Sequence, residues 1–270
     1  MSQYAVVGNP VRHSKSPQIH RLFARQTEQD LQYTAVEIQE GDFEFFVRDF
    51  FSEGGAGLNV TVPYKEKAYK LADHCSDRAG LAKAVNTLFL DDEGKLCGEN
   101  TDGLGLVRDI TINHKVDVAG KKILILGAGG AVRGVLASLA FEHPGSVTIM
   151  NRTLSRAQQL QKDFEKLLDL QPQTFDQPRA ERFDLIINGT SASLAGELPP
   201  LDPKLIAEGC CCYDMMYSDQ ATPFMAWSKQ YGARLVLDGT GMLVEQAAES
   251  FAIWRGVRPE TSEVISLLRN

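Results

Sequence analysis

Apolar residues cluster in short runs separated by polar turns. Tyr4 to Gly8 reads as a first strand, Ser16-Pro17 opens a helical pattern through Phe23, and Leu31 to Ile38 returns to strand-like spacing. Gly54-Gly55 breaks the chain ahead of Gly57-Leu58-Asn59-Val60-Thr61-Val62-Pro63, a β-branched run that Pro63 must end because proline donates no ladder hydrogen bond. A helix over Tyr64 to Asp73 follows. Asn86 to Leu90, the turn Asp91 to Gly94 and Lys95-Leu96-Cys97 predict a hairpin. Beyond Asn113 the texture changes, since Lys121 to Leu126 is the continuous apolar strand of a parallel sheet covered on both faces. Val147 to Met150, Asp184 to Asn188, Cys210 to Tyr213 and Arg234 to Leu237 continue as strands with helical stretches between them, a βα progression. Met242 to Arg255 closes the pattern as a helix, with Val244, Ala248, Phe251 and Trp254 on one face and Gly256 and Pro259 as its stop.

Composition narrows the functional classes. The 270 residues suit one to two domains, and 43% hydrophobic with 23% charged residues is an ordinary globular balance. A formal net charge of −7 leaves no broad positive field for nucleic-acid phosphates, so any anion must be bound locally. The five cysteines are odd in number and form no C-x-x-C pair, which speaks against a disulfide framework and a zinc knuckle and for a reducing, cytoplasmic setting. No export signal or membrane span is expected. His13, His20, His74, His114 and His143 share no ligand spacing, so no metal is expected. Ser191, in Gly189-Thr190-Ser191-Ala192-Ser193, lacks the G-x-S-x-G elbow of a serine hydrolase.

The strongest local signal is Gly127-Ala128-Gly129-Gly130-Ala131, between an apolar strand and the helical stretch Ala131 to Phe141. Amides of such a turn, with the positive end of the helix, cradle a pyrophosphate. Val132 replaces the third glycine of G-x-G-x-x-G, leaving Gly134 for helix packing. At the next strand end an NAD site calls for an acid; Asn151-Arg152-Thr153-Leu154-Ser155-Arg156 offers none, whereas Arg152 and Arg156 suit a 2′-phosphate and hence NADP. Both arginines also read as a solvated helix face. Ser14-Lys15-Ser16-Pro17 places two hydroxyls where a carboxylate could be held, and equally reads as Ser16 capping a helix with Pro17 behind it. Thr61 and Lys65 flank a strand end and a helix start, while Asn100-Thr101-Asp102-Gly103 reads first as a cap. Together, one ammonium, one carboxylate, two serines, Asn59 and Asn86 form a kit for a small polyhydroxy acid.

These motifs occur in an order that resembles the shikimate dehydrogenase family along nearly the whole chain. The carrying segments are Val7 to Pro10 with His13 to Pro17, Leu58 to Lys65, Ala84 to Thr87, Asn100 to Gly103, Gly127 to Ala131, Asn151 to Thr153, Asn188 to Ser191, Tyr213 to Tyr217 with Thr222-Pro223, and Asp238-Gly239 with Gln246. The resemblance implies an α/β chain of two domains. Residues 1–102 and 240–270 would form an α/β substrate domain, and residues 103–239 a Rossmann-type, doubly wound NADP-binding domain, with the active site in a cleft between them. It also implies reversible reduction of 3-dehydroshikimate to shikimate with NADPH, in the chorismate route to aromatic amino acids, by a monomer or homodimer.

By the same resemblance, Lys65 and Asp102 are the catalytic pair, Ser14 and Ser16 hold the substrate carboxylate, and Thr61, Asn86, Tyr217 and Gln246 contact its body. Gly127, Ala128, Gly129, Gly130 and Ala131 take the pyrophosphate. Asn151, Arg152, Thr153 and Arg156 take the adenosine phosphate, Thr190, Met215, Gly239 and Met242 the nicotinamide side, with Asp77 as a further cofactor contact. Ser218-Asp219 departs from the family's Asn-Pro at that turn, which concerns the local loop shape. The alternatives are a quinate/shikimate relative with broader use of NAD and NADP, and a dinucleotide-binding sensor without turnover.

Overall fold

The computed structural model describes residues 1–176, 181–192, 196–218 and 220–269. Ser193 and Asp219, quoted above in their motifs, lie outside the described residues. The chain divides into two compact units, Met1–Gly105 with Leu243–Leu268, and Leu106–Met242 with Arg269. Among the described residues no helix is long and apolar enough to cross a membrane, and no group of three or more His, Cys, Asp or Glu could hold a metal ion. All five cysteines are free, and burial pushes the Cys211 thiol up to about 12.

The first unit carries β1 (Ser2–Gly8), α1 (Ser16–Gln26), β2 (Leu31–Glu37), α2 (Phe43–Ser52), β3 (Gly57–Val60), α3 (Lys65–Leu71), β4 (His74–Cys75), α4 (Asp77–Ala82), β5 (Thr87–Leu90) and β6 (Leu96–Glu99). Its sheet runs β2-β1-β3-β5-β6-β4, with β1 parallel to β2 and β3, and β5 antiparallel to both β3 and β6. Period-2 geometry explains why β1 is apolar on both faces from Tyr4 to Val7: Ala5 and Val7 enter one core with Phe43, Val47 and Tyr64, while Tyr4 and Val6 enter another with Val11 and Tyr33. Helices α5 (Asp102–Arg108) and α9 (Thr240–Arg255) each carry the chain from one unit to the other. The apolar stripe of α9, Val244, Ala247, Ala248 and Phe251, packs with Ile19 and Phe23 of α1 and with Val264 and Ile265 of α10 (Ser262–Arg269). Helix α9 ends as expected, at Gly256, whose φ of 69° suits a residue without a Cβ.

The second unit contains β7 (Lys122–Leu126), α6 (Gly130–Leu139), β8 (Ser146–Met150), α7 (Leu154–Phe164), β9 (Leu170–Gln173), β10 (Phe183–Asn188), β11 (Ile206–Asp214), α8 (Pro223–Gln230) and β12 (Leu235–Leu237). All neighbouring strands are parallel in the order β12-β11-β10-β7-β8-β9, the doubly wound Rossmann order. The order reverses between β7 and β10. Ligands of open α/β sheets bind beyond the carboxyl ends of the strands at that switch point, where Gly127 follows β7 and Gly189 follows β10.

Candidate active site

In the first unit, strand register gathers residues that are far apart in sequence. Asn59 on β3 faces Thr87 on β5, and Thr87 faces Glu99 on β6. The end of β3, the start of β5 and the end of β6 therefore meet at one end of the sheet. From there the chain leaves β3 through Thr61 to Lys65 and leaves β6 through Asn100 to Asp102. Tyr64 anchors the first exit: fully buried, stacked on Phe43 at 5.0 Å and donating to the Ile38 carbonyl at 2.8 Å, it fixes the start of α3. Asn100 fixes the second, because its side chain accepts from the Asp102 N–H and donates to the Ala84 carbonyl.

Lys65 Nζ then meets Asp102 Oδ2 at 2.6 Å, with the two side chains 28% and 17% exposed. The carboxylate's other oxygen accepts from Asn86 Nδ2 at 2.9 Å. Gln246 Oε1 lies 3.4 Å from the same Asn86 nitrogen, while Gln246 Nε2 donates to the Leu243 carbonyl. Lys65, Asp102, Asn86 and Gln246 are thus brought together in one cluster, with Thr61 half-buried four residues ahead of Lys65. Asn59 belongs instead to the interior. At 7% exposure it hydrogen-bonds inward to Tyr33, Asn86, Thr87 and Ser250.

Ser16 corrects the capping expectation. Helix α1 begins at Ser16 itself, its N-cap position is Lys15, and no side chain caps it in the usual way. The Ser16 N–H donates to Ser14 Oγ at 3.2 Å, which leaves the Ser16 hydroxyl, buried at 8% exposure, outside any capping bond. Asp77 stands exposed in the first turn of α4, in this same unit, where a carboxylate favours the helix N-terminus by itself. The other residues read as cofactor contacts belong to the second unit.

There the glycine turn has a clear backbone logic. Gly127 has φ +102°, its N–H donates to the Met150 carbonyl at 2.8 Å, and a Cβ on it would lie 3.1 Å from the Gly189 carbonyl oxygen. Gly129, Gly130 and Ala131 are exposed at the start of α6, with nothing within 4 Å of where a Cβ would stand on either glycine. The start of α6 is thus exposed and uncrowded, and the first N–H groups of a helix have no partner within it, which is what an anion site requires. Val132 explains the missing third glycine: the close approach is made by its partner, since a Cβ on Gly189 would lie 2.5 Å from Val132 Cγ2. Gly189→Ala should therefore destabilise the protein by about 1–3 kcal/mol, and Val132→Ala in the same chain should recover part of that loss. Denaturant unfolding of the three variants measures it.

Past β8, Asn151 Nδ2 donates to the Thr153 carbonyl at 2.8 Å and shapes the turn. Arg152 and Arg156 are exposed and make no ion pair among the described residues. Beyond β10, Thr190 Oγ1 donates to Asn188 Oδ1 at 2.8 Å, and Met215 N–H to the Asn188 carbonyl at 3.0 Å. Asn188 in turn donates to Asp214, which also accepts from Thr222 Oγ1 at 2.6 Å and from the Met216 N–H. Gly239 N–H reaches the Met216 carbonyl, and Met242 N–H reaches Tyr213 Oη at 3.2 Å, whose own proton goes to the fully buried Asp109. Tyr217, 37% exposed, follows this cluster, and burial of its ring pushes the phenol above its ordinary value. Sequence reasoning assigned no role to Asn188, Asp214, Tyr213 or Asp109; the first three hold backbone N–H groups and Asp109 holds the Tyr213 hydroxyl, tasks with no local signature.

Three family models match successive parts of the chain. Residues 6–88 match the shikimate dehydrogenase substrate binding domain, 110–195 the shikimate / quinate 5-dehydrogenase model, and 239–269 the shikimate 5′-dehydrogenase C-terminal domain. The chain is 55% identical over 267 residues to the shikimate dehydrogenase (NADP(+)) of Alkalilimnicola ehrlichii, covering 99% of this chain and 98% of that one. It belongs to the shikimate dehydrogenase family. Its 55% identity to the Aeromonas salmonicida shikimate dehydrogenase (NADP(+)) spans 100% of this chain and 98% of the relative. Among solved structures, an Ael1 enzyme from Pseudomonas putida superposes with a TM-score of 0.96 at 43% identity, over 100% of this chain and 99% of the other. The shikimate 5-dehydrogenase of Thermus thermophilus, solved in complex with NADP(H) and shikimate, gives 0.87 at 30% identity, over 100% and 99%. The stretch matched to the substrate binding domain includes Lys65, Asp102 lies beyond it in the same compact unit, and the glycine turn lies within residues 110–195.

Proposed function

We propose that this chain reduces 3-dehydroshikimate to shikimate with NADPH, reversibly, and that Lys65 and Asp102 carry the chemistry. The observation that carries the reading is the 2.6 Å ion pair at the joint end of β3 and β6, flanked by Asn86 and Gln246, in a chain 55% identical to NADP-dependent relatives. The residues suit the dinucleotide. A glycine turn with open space at the start of α6, two exposed arginines after β8 and no acid there fit a pyrophosphate and a 2′-phosphate. Gly127 to Ala131 would hold the pyrophosphate, Asn151, Arg152, Thr153 and Arg156 the adenosine phosphate, and Thr190, Met215, Gly239 and Met242 the nicotinamide side.

When bound, the reduced dinucleotide supplies the hydride taken up at the ketone carbon. Lys65 then does its work at the ketone oxygen: as that atom gathers negative charge, the ammonium stabilises it and passes a proton. Asp102 keeps the ammonium in place through Oδ2 and accepts from a substrate hydroxyl, and Asn86 holds Oδ1. Ser14 and Ser16 take the carboxylate, while Thr61, Asn86, Gln246 and Tyr217 take the ring hydroxyls and body.

Steady-state turnover with shikimate and quinate, each with NADP+ and NAD+, tests the reading. Turnover fastest with shikimate and NADP+ is expected; comparable rates with quinate and NAD+ point to the broader quinate/shikimate activity, and no turnover with any pair points to a sensor. The same reading carries a cytoplasmic monomer or homodimer, which sedimentation decides.

Ser16→Ala should raise the shikimate KM and leave the NADP+ KM alone, because a hydrogen bond to a charged partner, about 1.5–3 kcal/mol, belongs to the substrate alone. Any fall in its melting temperature should come from the lost contact with the buried Tyr33 phenol and not from a lost helix cap. Ser14→Ala should show the same kinetic split with an added loss of stability, since it also removes the acceptor of the Ser16 N–H. Unchanged shikimate KM values in both would remove the serines from the carboxylate site.

A further inference from the structure

Behind the Lys65 and Asp102 pair lies a chain of buried side-chain hydrogen bonds whose direction can be assigned. The Thr101 N–H, which can only donate, reaches Asn86 Oδ1 at 2.8 Å, so the Asn86 nitrogen is the atom that faces Asp102. The Asn86 carbonyl, which can only accept, takes a bond from Asn59 Nδ2 at 3.1 Å, so Asn59 Oδ1 accepts from Tyr33 Oη at 2.7 Å. Between the two amides stand two hydroxyls, Thr87 on β5 and Ser250 on α9, both fully buried. Thr87 gives its single proton to Asn86 Oδ1 at 3.0 Å. The 2.7 Å contact between Ser250 and Thr87 then takes its proton from Ser250, which itself accepts from Asn59 Nδ2 at 3.0 Å.

We infer that Ser250 is a positioning residue for the reaction: it closes a one-way relay from Tyr33 through Asn59, Ser250, Thr87 and Asn86 to the Asp102 carboxylate. Every donor in the relay points toward Asp102, and buried bonds that share a direction polarise and stiffen one another. Asn86 is the consequence. With Oδ1 filled by Thr101 N–H and Thr87, and Nδ2 directed at Thr101 Oγ1 and Asp102, its amide has one orientation. Ser250 also sits one turn from Gln246; its Oγ lies 3.2 Å from the Gln246 carbonyl, a longer alternative to the 2.7 Å contact with Thr87 that takes its one proton. Without the Ser250 hydroxyl, Thr87 Oγ1 loses its shortest donor and keeps only the 3.2 Å bond from Asn59 Nδ2, so its proton is held less firmly on Asn86 Oδ1 and the Asn86 amide rests on the Thr101 N–H.

This inference rests on Lys65 and Asp102 acting on shikimate, and the wild-type rate with shikimate and NADP+ tests that premise separately. Given an active wild type, Ser250→Ala should lower kcat by about 10-fold, within the about 10²-fold that a full ångström of misplacement costs, and raise the shikimate KM by about 3-fold, with the NADP+ KM unchanged. Ser250→Thr, which restores the hydroxyl, should recover most of the kcat loss. Ser228→Ala is the structural control: that hydroxyl is also fully buried and donates to the Phe224 carbonyl in α8, so stability should fall while kcat and both KM values hold. Thr87→Val breaks the relay one link further on and should reproduce the kinetic defect, including where Ser250→Ala fails to fold. The Ser250→Ala/Thr87→Val double variant should be no slower than the worse single one, because both cut one chain. Normal shikimate kinetics in a folded Ser250→Ala or Thr87→Val enzyme, or equal loss in Ser228→Ala, overturns the inference.

Discussion

Lys65→Met should fold and bind NADP+ yet lose about 10²- to 10⁴-fold in kcat, because the ammonium acts on the ketone oxygen as that atom gains charge. Methionine keeps most of the stem, and Lys65 is 28% exposed at its side chain, so the packing loss is small beside the chemical one. Substrate affinity should change less than turnover. Asp102→Asn should lower kcat as well, and raise the shikimate KM. An amide there can still accept from Asn86, but it offers an N–H or a neutral oxygen to Lys65 in place of the 2.6 Å ionic contact, and it loses charge toward a substrate hydroxyl. As the two side chains act as one unit, the double variant should be far less impaired than the product of the single defects. Fully multiplicative losses would mean that they work independently. Near-normal turnover in Lys65→Met would take that residue out of the chemical step.

Arg152→Ala should cost NADP+ much more than NAD+, since the guanidinium is assigned to a phosphate that NAD+ does not carry. Removing one charge-assisted bond of about 2–3 kcal/mol corresponds to about 30- to 150-fold in preference. Arg152 is exposed at the end of β8 and makes no ion pair among the described residues, so its loss leaves no buried partner unsatisfied and the melting temperature should be nearly unchanged. Arg156→Ala should show the same selectivity in smaller measure, from the first turn of α7. Kinetics with both cofactors gives the ratio directly. Equal loss for NADP+ and NAD+ defeats the 2′-phosphate assignment.

Local order along the chain determined a good part of this architecture. Strand β7, the glycine turn and the start of α6 are consecutive in sequence, and the positive φ of the turn falls on Gly127, a residue without a Cβ. The apolar stripe and glycine stop of α9 are equally local, and so are the missing acid and the two arginines after β8. Where elements escaped the pattern, the reason is physical. Strand β9, Leu170-Gln171-Pro172-Gln173, carries a proline and polar residues because it is the edge of its sheet, where one side of the backbone needs no ladder partner. Ser16 looked like a cap because Ser-Pro is a common way to start a helix, yet the backbone enters α1 one residue earlier.

Pairing across distance was decided by the tertiary structure alone. Nothing in the spacing of Lys65 and Asp102, 37 residues apart, marks them as partners. They meet because β5 turns back antiparallel between β3 and β6, so that the exits of two strands share one end of the sheet. The same register turned Asn59 inward, away from the polar kit in which the sequence had placed it, and brought Ser250 from 191 residues away to its side. Val132 likewise reads as a broken fingerprint until Gly189, on another strand's exit, is seen to supply the missing space. Sequence specifies which groups are present and the local backbone that carries them; which of those groups touch is set by sheet order and register, because hydrogen bonds between strands join residues without regard to their separation along the chain.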